Sequence, residues 1–141
     1  MLHLLDTDTL TLLHRNHPRV VQRLRELPAA DRVGTTIITR IELLRGRFDA
    51  VLKAPSGTEI QRAQDQLIET EARLTQLEVV PFDVTAASVF DRLRGTKGLT
   101  KIGRADLLIA SMTLAHQAVL VTRNLRHFRP VPNLKVTNWV D

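Results

Sequence analysis

Apolar positions along this chain fall into short blocks and helical stripes that alternate. Leu2-His3-Leu4-Leu5 is an apolar run that stops abruptly at Asp6-Thr7-Asp8, the pattern of a short buried strand ending in carboxylates. Helical signals follow over Thr9 to His14 and over Pro18 to Leu27, where Pro18 suits a first helical turn because its missing N–H would have no partner there. A strand is expected at Val33 to Thr36. From Ile37 to Leu52 the residues Ile37, Ile38, Ile41, Leu44 and Phe48 recur at helical spacing, until Pro55-Ser56-Gly57 breaks the run. Ser56 or Thr58 can cap a long polar helix reaching about Gln76, whose apolar stripe of Ile60, Ala63, Leu67, Ala72 and Leu74 is narrow. That stripe predicts an outer hairpin with the preceding helix.

Glu78 to Phe82 reads as a third strand and Thr85 to Leu93 as a helix, before a basic, mobile loop at Gly95-Thr96-Lys97-Gly98. Ile102-Gly103 leads into a helix from Arg104 to Gln117. Ala118 to Thr122 is a strand of β-branched character bounded by Arg123-Asn124, and a last short strand is expected at Leu134 to Thr137. Strands alternating with helices predict an α/β fold, an α/β/α sandwich with a mostly parallel central sheet and crossovers of the usual hand. The chain has no internal repeat, low-complexity tract or linker, and 141 residues at 43% apolar composition suit a single domain spanning residues 1–141.

Charge narrows the partner class. Lys and Arg exceed Asp and Glu by a formal +5, and arginine dominates that excess, which favours a polyanion because guanidinium pairs phosphate in a bidentate fork. Nucleic acid is the obvious candidate; solubility is the other reading of the same charge, and aromatic residues for base stacking are scarce. The absence of cysteine excludes disulfides and zinc-thiolate sites, and it fits a reducing compartment. No apolar run approaches the roughly 18 residues of a membrane helix, so a soluble, cytoplasmic protein with no membrane partner is expected.

Candidate chemistry begins at Asp6, because ligands of open α/β sheets sit outside the carboxyl ends of the strands. Glu42 follows Ile38 by one turn and neighbours Ile41, at the margin of a buried face; pairing with Arg45 or Arg47 is its structural alternative. Asp106 falls in the first turn of its helix and shares a stripe with Ile109 and Ala110, where complementing the helix dipole, worth about 0.3–1 kcal/mol, is the alternative. Taken together, the three acids would repel one another unless a cation or shared protons neutralised them. A hard divalent ion such as magnesium takes oxygen ligands, keeps several waters, and can activate water for attack on a phosphate. Thr36 and Thr122, at strand ends, are placed to hydrogen-bond the carboxylates or a phosphate, or simply to pack. Arg104, Arg123 and Arg126 flank the proposed site and are candidates to clamp a phosphate, a solvated surface charge being the alternative for each. His14 and His17 are spaced i, i+3 without the acids or cysteines that a zinc site needs.

These residues, in their order, resemble the PIN-domain proteins, specifically the VapC type of toxin in bacterial toxin–antitoxin pairs. The resemblance rests on Leu4-Leu5-Asp6-Thr7-Asp8, Ile41-Glu42-Leu43-Leu44-Arg45-Gly46, Ile102-Gly103-Arg104-Ala105-Asp106-Leu107-Leu108-Ile109-Ala110, Val121-Thr122-Arg123-Asn124-Leu125-Arg126-His127-Phe128 and Val136-Thr137-Asn138-Trp139. It spans nearly the whole chain. It implies Asp6, Glu42 and Asp106 as catalytic metal ligands, Mg2+ or Mn2+ as cofactor, hydrolysis of RNA phosphodiester bonds, and inhibition of translation by the free toxin. It further implies a cytoplasmic homodimer silenced by a small antitoxin protein that fills the active-site groove. Two departures stand out. Family members often carry a fourth acid after the late strand, where this chain has Asn124 and then His127; Asn124 can still meet a bound water or a phosphate, and a single tightly held ion is expected. Asp8 stands where the family frequently has asparagine, where it can orient a neighbouring metal ligand or cap the following helix, and capping is its expected role.

Two other functions fit parts of the chain. Asp6-Thr7-Asp8-Thr9 after an apolar strand also suits the Asp-x-Asp-x-Thr motif of haloacid-dehalogenase-type phosphatases, with Asp6 as covalent nucleophile, although Glu42 then has no role. A PIN-like module that binds RNA or protein without hydrolysis is compatible with the neutral Asn124 and His127.

Overall fold

A computed structural model describes all residues, 1–141. Strand β1 (Leu2–Leu5) leads to helices α1 (Thr7–His14) and α2 (Pro18–Arg25), then β2 (Arg32–Thr36), α3 (Ile37–Lys53), α4 (Gly57–Thr75) and β3 (Glu78–Val80). Helices α5 (Val84–Arg94) and α6 (Arg104–Ala115) precede β4 (Val119–Val121), α7 (Leu125–Phe128) and β5 (Lys135–Thr137). The five strands form one parallel sheet in the order β3-β2-β1-β4-β5, as the alternation of strand and helix requires. Most boundaries lie within two residues of those read from the sequence. The four-residue helix α7 was not anticipated, because Leu125-Arg126-His127-Phe128 is too short to display a period.

Burial on both faces explains the apolar strands. Leu2, Leu4 and Leu120 face α5 and α6, packing with Ala86, Phe90, Leu93, Ile109 and Met112. Leu5 and Val121 face the other way, against Leu10 and Val20 of α1 and α2, Leu74 of α4, and Trp139. Helices α3 and α4 pack along one another as the expected hairpin, leaving Ile41, Phe48, Leu52, Ile60 and Ile68 exposed. Gly34 lets β2 and β3 close up: a Cβ there would sit 2.5 Å from the carbonyl oxygen of Glu78.

Chain direction then determines what lies at the carboxyl edge of the sheet. From β1 the chain crosses first to β2 on one side and later to β4 on the other, so the strand order reverses beside β1 and opens a crevice there. Helix α3 starts directly from the end of β2, and α6, which must run antiparallel to reach the start of β4, presents its own N-terminus at the same edge.

Candidate active site

Asp6 occupies this crevice. Its backbone N–H donates to the Val121 carbonyl at 3.0 Å, carrying the pairing of β1 and β4 one residue past the strand. Its Oδ1 accepts from the Thr9 N–H at 2.9 Å, which makes Asp6 the N-cap of α1. The side chain is half-buried, and it takes part in none of the chain's ion pairs. Burial pushes its carboxyl pKa above the ordinary aspartate value; hydrogen bonding from Thr122 and Thr9 opposes that rise, and the charge of Asp8 adds slightly to it.

Glu42 is exposed on α3, and its Oε1 accepts from the Thr7 hydroxyl at 2.8 Å, rather than pairing with Arg45 or Arg47. Thr7 thus ties the first turn of α1 to α3, and the Thr39 hydroxyl lies 3.2 Å from its own. Asp106 sits in the first turn of α6, with Oδ2 2.9 Å from Nε2 of His127 on α7. The His127 ring in turn meets Phe128 edge-on at a centroid distance of 5.2 Å.

All three expected acids therefore stand on elements that meet at the carboxyl edge of the sheet. No group of three Asp, Glu or His side chains is gathered closely enough to hold a metal ion: Glu42 is engaged by Thr7, Asp106 by His127, and Asp6 by the start of α1. The donor chemistry nevertheless suits a hard cation, since these are carboxylate oxygens, and Asp6 is a partly desolvated one with no cationic neighbour. An ion there would take Asp6 directly, and would have to be met by Glu42 and Asp106 through Oε2 and Oδ1, the oxygens that Thr7 and His127 leave free.

The supporting residues divide. Thr122 is buried, accepts from the Asn124 N–H at 3.0 Å, and faces Asp6. Asn124 is exposed at the start of α7, and its side chain makes no capping bond. Thr36 is fully buried and accepts from the Thr39 N–H at 3.2 Å, so its hydroxyl serves as the cap of α3. Arg104 is exposed with its guanidinium over the Phe90 ring, 5.1 Å from the centroid, and Arg123 reaches Asp141 at 3.2 Å. The expectation that Asp8 caps the first helix is corrected: Asp6 is the cap, because the helix begins two residues earlier than its apolar pattern suggests, and Asp8 is an exposed residue of the first turn. The parts played by Thr7 and His127 were not read from the sequence, since neither spacing nor residue type links them to acids 35 and 21 positions away.

Fold and site together define an α/β protein that presents acidic side chains at the carboxyl ends of its parallel strands. A model of the PIN domain matches residues 3–133, and the chain belongs to the PIN-domain family, within it to the VapC-type nucleases. It is 32% identical to Ribonuclease VapC2 of Rickettsia felis over 142 aligned positions, covering 99% of this chain and 98% of that protein. It is 29% identical to the tRNA(fMet)-specific endonuclease VapC of Salmonella typhimurium, covering 96% of each. The solved structure of VapBC-1 from nontypeable Haemophilus influenzae superposes with a TM-score of 0.82 at 26% identity, covering 100% of both chains. This membership displaces the phosphatase alternative.

Proposed function

We propose that this chain is a metal-dependent endoribonuclease, the toxin of a toxin–antitoxin pair, which blocks translation by cutting RNA when no antitoxin restrains it. The observation that carries the reading is Asp6, a half-buried carboxylate without a cationic partner at the point where the strand order reverses. A bound Mg2+ or Mn2+ supplies positive charge against phosphate oxygens and acidifies a water for in-line attack. Asp6, Glu42 and Asp106 would hold that ion. The Thr9 N–H and the Val121 carbonyl fix the position of Asp6, Thr7 orients Glu42, and His127 orients Asp106. Asn124 meets the phosphate, the buried Thr122 hydroxyl supports the Asp6 carboxylate, and Arg104 and Arg126, both exposed, draw the polyanion to the edge. With Asn124 in place of a further acid, one ion is held.

The partner is a small cognate antitoxin, a reading supported by the VapBC complexes among the similar structures. The exposed apolar residues of α3 and α4 offer surface for it and for a second copy in a homodimer. No helix is long and apolar enough to cross a membrane, and an RNA substrate puts the protein in the cytoplasm.

Purified protein incubated with RNA and Mg2+ is expected to cleave it, with activity abolished by chelator and by Asp6→Asn or Asp106→Asn. Cleavage that survives chelation or both substitutions would refute the reading. RNA binding without any metal-dependent cleavage would instead favour a non-catalytic module, which the separate engagement of the three acids keeps in contention.

A further inference from the structure

Between α1, α3 and α4 lies a cavity of about 230 Å3 that the proposed cleavage chemistry does not use. Thr11 and His14 of α1, Arg15 at its C-terminal cap, Arg47 of α3, and Glu69 and Arg73 of α4 line it, and Leu43 is the sole apolar contributor. Seams between helices are ordinarily closed by apolar stripes. This one gathers three guanidinium groups around a single carboxylate.

The charges do not balance. Arg73 spends its guanidinium on Glu69, at 2.6 and 3.1 Å, and on the His14 carbonyl at 2.7 Å. Arg47 meets only neutral groups, the Thr70 hydroxyl at 3.1 Å and the Gln66 side-chain carbonyl at 3.2 Å. The Arg15 guanidinium is exposed and makes no hydrogen bond or ion pair at all. Bracing of the helices accounts for Arg73 and Arg47 but leaves Arg15 unexplained. His14 registers the excess: burial first, then the charges of Arg73 and Arg47, hold its imidazole below the ordinary histidine pKa, with Glu69 opposing.

Thr11 lies one helical turn, about 5.4 Å, along α1 from Thr7, and its hydroxyl donates to the Thr7 carbonyl at 2.8 Å. Thr7 is the residue that holds Glu42. The cavity therefore adjoins the candidate active site: Thr11 lines it one turn along α1 from Thr7, and Leu43 lines it one residue along α3 from Glu42.

We infer that this cavity is a subsite for a backbone phosphate of the RNA strand neighbouring the linkage to be cut, gripped by Arg15 and Arg47. The identity of the strand rests on the ribonuclease reading; the affinity of the cavity for a phosphate oxyanion does not. Two unneutralised forks suit a group with several anionic oxygens better than they suit a single carboxylate from a protein partner.

The test has two readouts, both on the full-length chain. Inorganic phosphate is titrated while the His14 imidazole is followed by NMR: saturable binding that raises the His14 pKa toward its ordinary value is expected, weakened in Arg15→Gln. Separately, binding of a short mixed-sequence oligoribonucleotide to the Asp6→Asn protein is measured in chelator as a function of salt. Each lost phosphate contact should lower the slope of log affinity against log salt by about 0.7, so Arg15→Gln and Arg47→Gln should show that decrease and Arg47→Lys should largely restore it. Arg15→Gln disturbs no observed bond, so the test survives if Arg47→Gln fails to fold. Unchanged slopes in Arg15→Gln, or a His14 resonance indifferent to phosphate, would overturn the subsite even while cleavage persists. Wild-type protein that cuts no RNA but shows both effects would overturn the ribonuclease reading and leave the subsite standing. Dependence on Arg15 for an acidic antitoxin peptide but not for RNA would assign the cavity to the protein partner and refute the proposal.

Discussion

The carboxylate of Asp6 acts on stability in two opposing ways, and substitution separates them. As the cap of α1 it accepts from the Thr9 N–H, a contact whose loss to alanine costs about 1 kcal/mol. As a half-buried charge with no counter-ion it is destabilising, which is what its raised pKa means. A folded-state pKa above the unfolded one contributes stability that is complete below the ordinary value of 3.8 and is lost as the pH rises through the folded-state pKa. Above the folded-state pKa the metal-free protein carries the uncompensated charge. Asp6→Asn keeps the Oδ1 acceptor and removes the charge. Without metal, it should melt above the wild type at pH 7 and converge with it as the pH falls below 3.8. Asp6→Ala should melt below Asp6→Asn by the value of the cap. For a chain of 141 residues the unfolding entropy near the midpoint is about 0.3 kcal/mol per kelvin, so the cap corresponds to about 3 °C. Saturating Mg2+ reverses the order: an ion at a hundred times its Kd adds about 2.7 kcal/mol, or about 9 °C, to the wild type and nothing comparable to Asp6→Asn. Scanning calorimetry at both pH values, with and without Mg2+, reads every term. Asp6→Asn melting as low as Asp6→Ala at pH 7 without metal, or Mg2+ raising wild type and Asp6→Asn equally, would refute the reasoning.

Other perturbations test separate parts. His127→Ala releases the Asp106 carboxylate and should raise the Mg2+ concentration needed for half-maximal cleavage by about 10–100-fold, the usual effect of losing a group that orients a ligand; an unchanged Mg2+ dependence would remove His127 from the site. Gly34→Ala puts a methyl group 2.5 Å from the Glu78 carbonyl and should destabilise by about 1–3 kcal/mol in urea titration, and a neutral result would mean that β2 and β3 can move apart without penalty. Asp31 bonds the His3 ring at 3.0 Å and the N-terminal ammonium at 3.3 Å, and the His3 bond leads in holding its pKa below 3.8. A lowered folded-state pKa gives stability present above 3.8 and lost as the pH falls through the folded value, so melting curves of wild type and Asp31→Asn should differ at pH 5 and approach one another toward pH 2; a gap that does not narrow would contradict the pairing.

How much of this was legible depends on whether the signal was local. Alternation of apolar strands with amphipathic helices carried the layer architecture, because two-face burial leaves an unbroken apolar run such as Leu2 to Leu5 and a change of period marks each crossover. Asp6 was legible for the same reason: an acid that ends such a run has nowhere to be but the mouth of the sheet. Glu42 and Asp106 were candidates only as members of a set, since each alone reads as a surface or dipole-complementing acid; the structure puts both at the same edge as Asp6 but engages each with a different partner. Thr7 and His127 were hidden, because the bonds they make cross from one helix to another. The short helix α7, which delivers His127, owes its existence to the turn after β4 and not to any periodicity.

Capping alone does not explain a carboxylate at position 6. Four helices of this chain begin with a side chain accepting from the backbone three residues on: Asp6, Thr36, Ser56 and Asp83. Serine or threonine serves that purpose nearly as well as aspartate, and the buried instance besides Asp6 is indeed a threonine, Thr36. The other aspartate, Asp83, is exposed, where water solvates its charge. Only at Asp6 is an ionisable cap partly withdrawn from water with no cation beside it, and the residues around it answer with hydrogen bonds from Thr9 and Thr122 that favour the charged form. Stability alone would favour threonine at this position; a carboxylate in the crevice where the strand order reverses fits the proposed role of Asp6 in holding a cation.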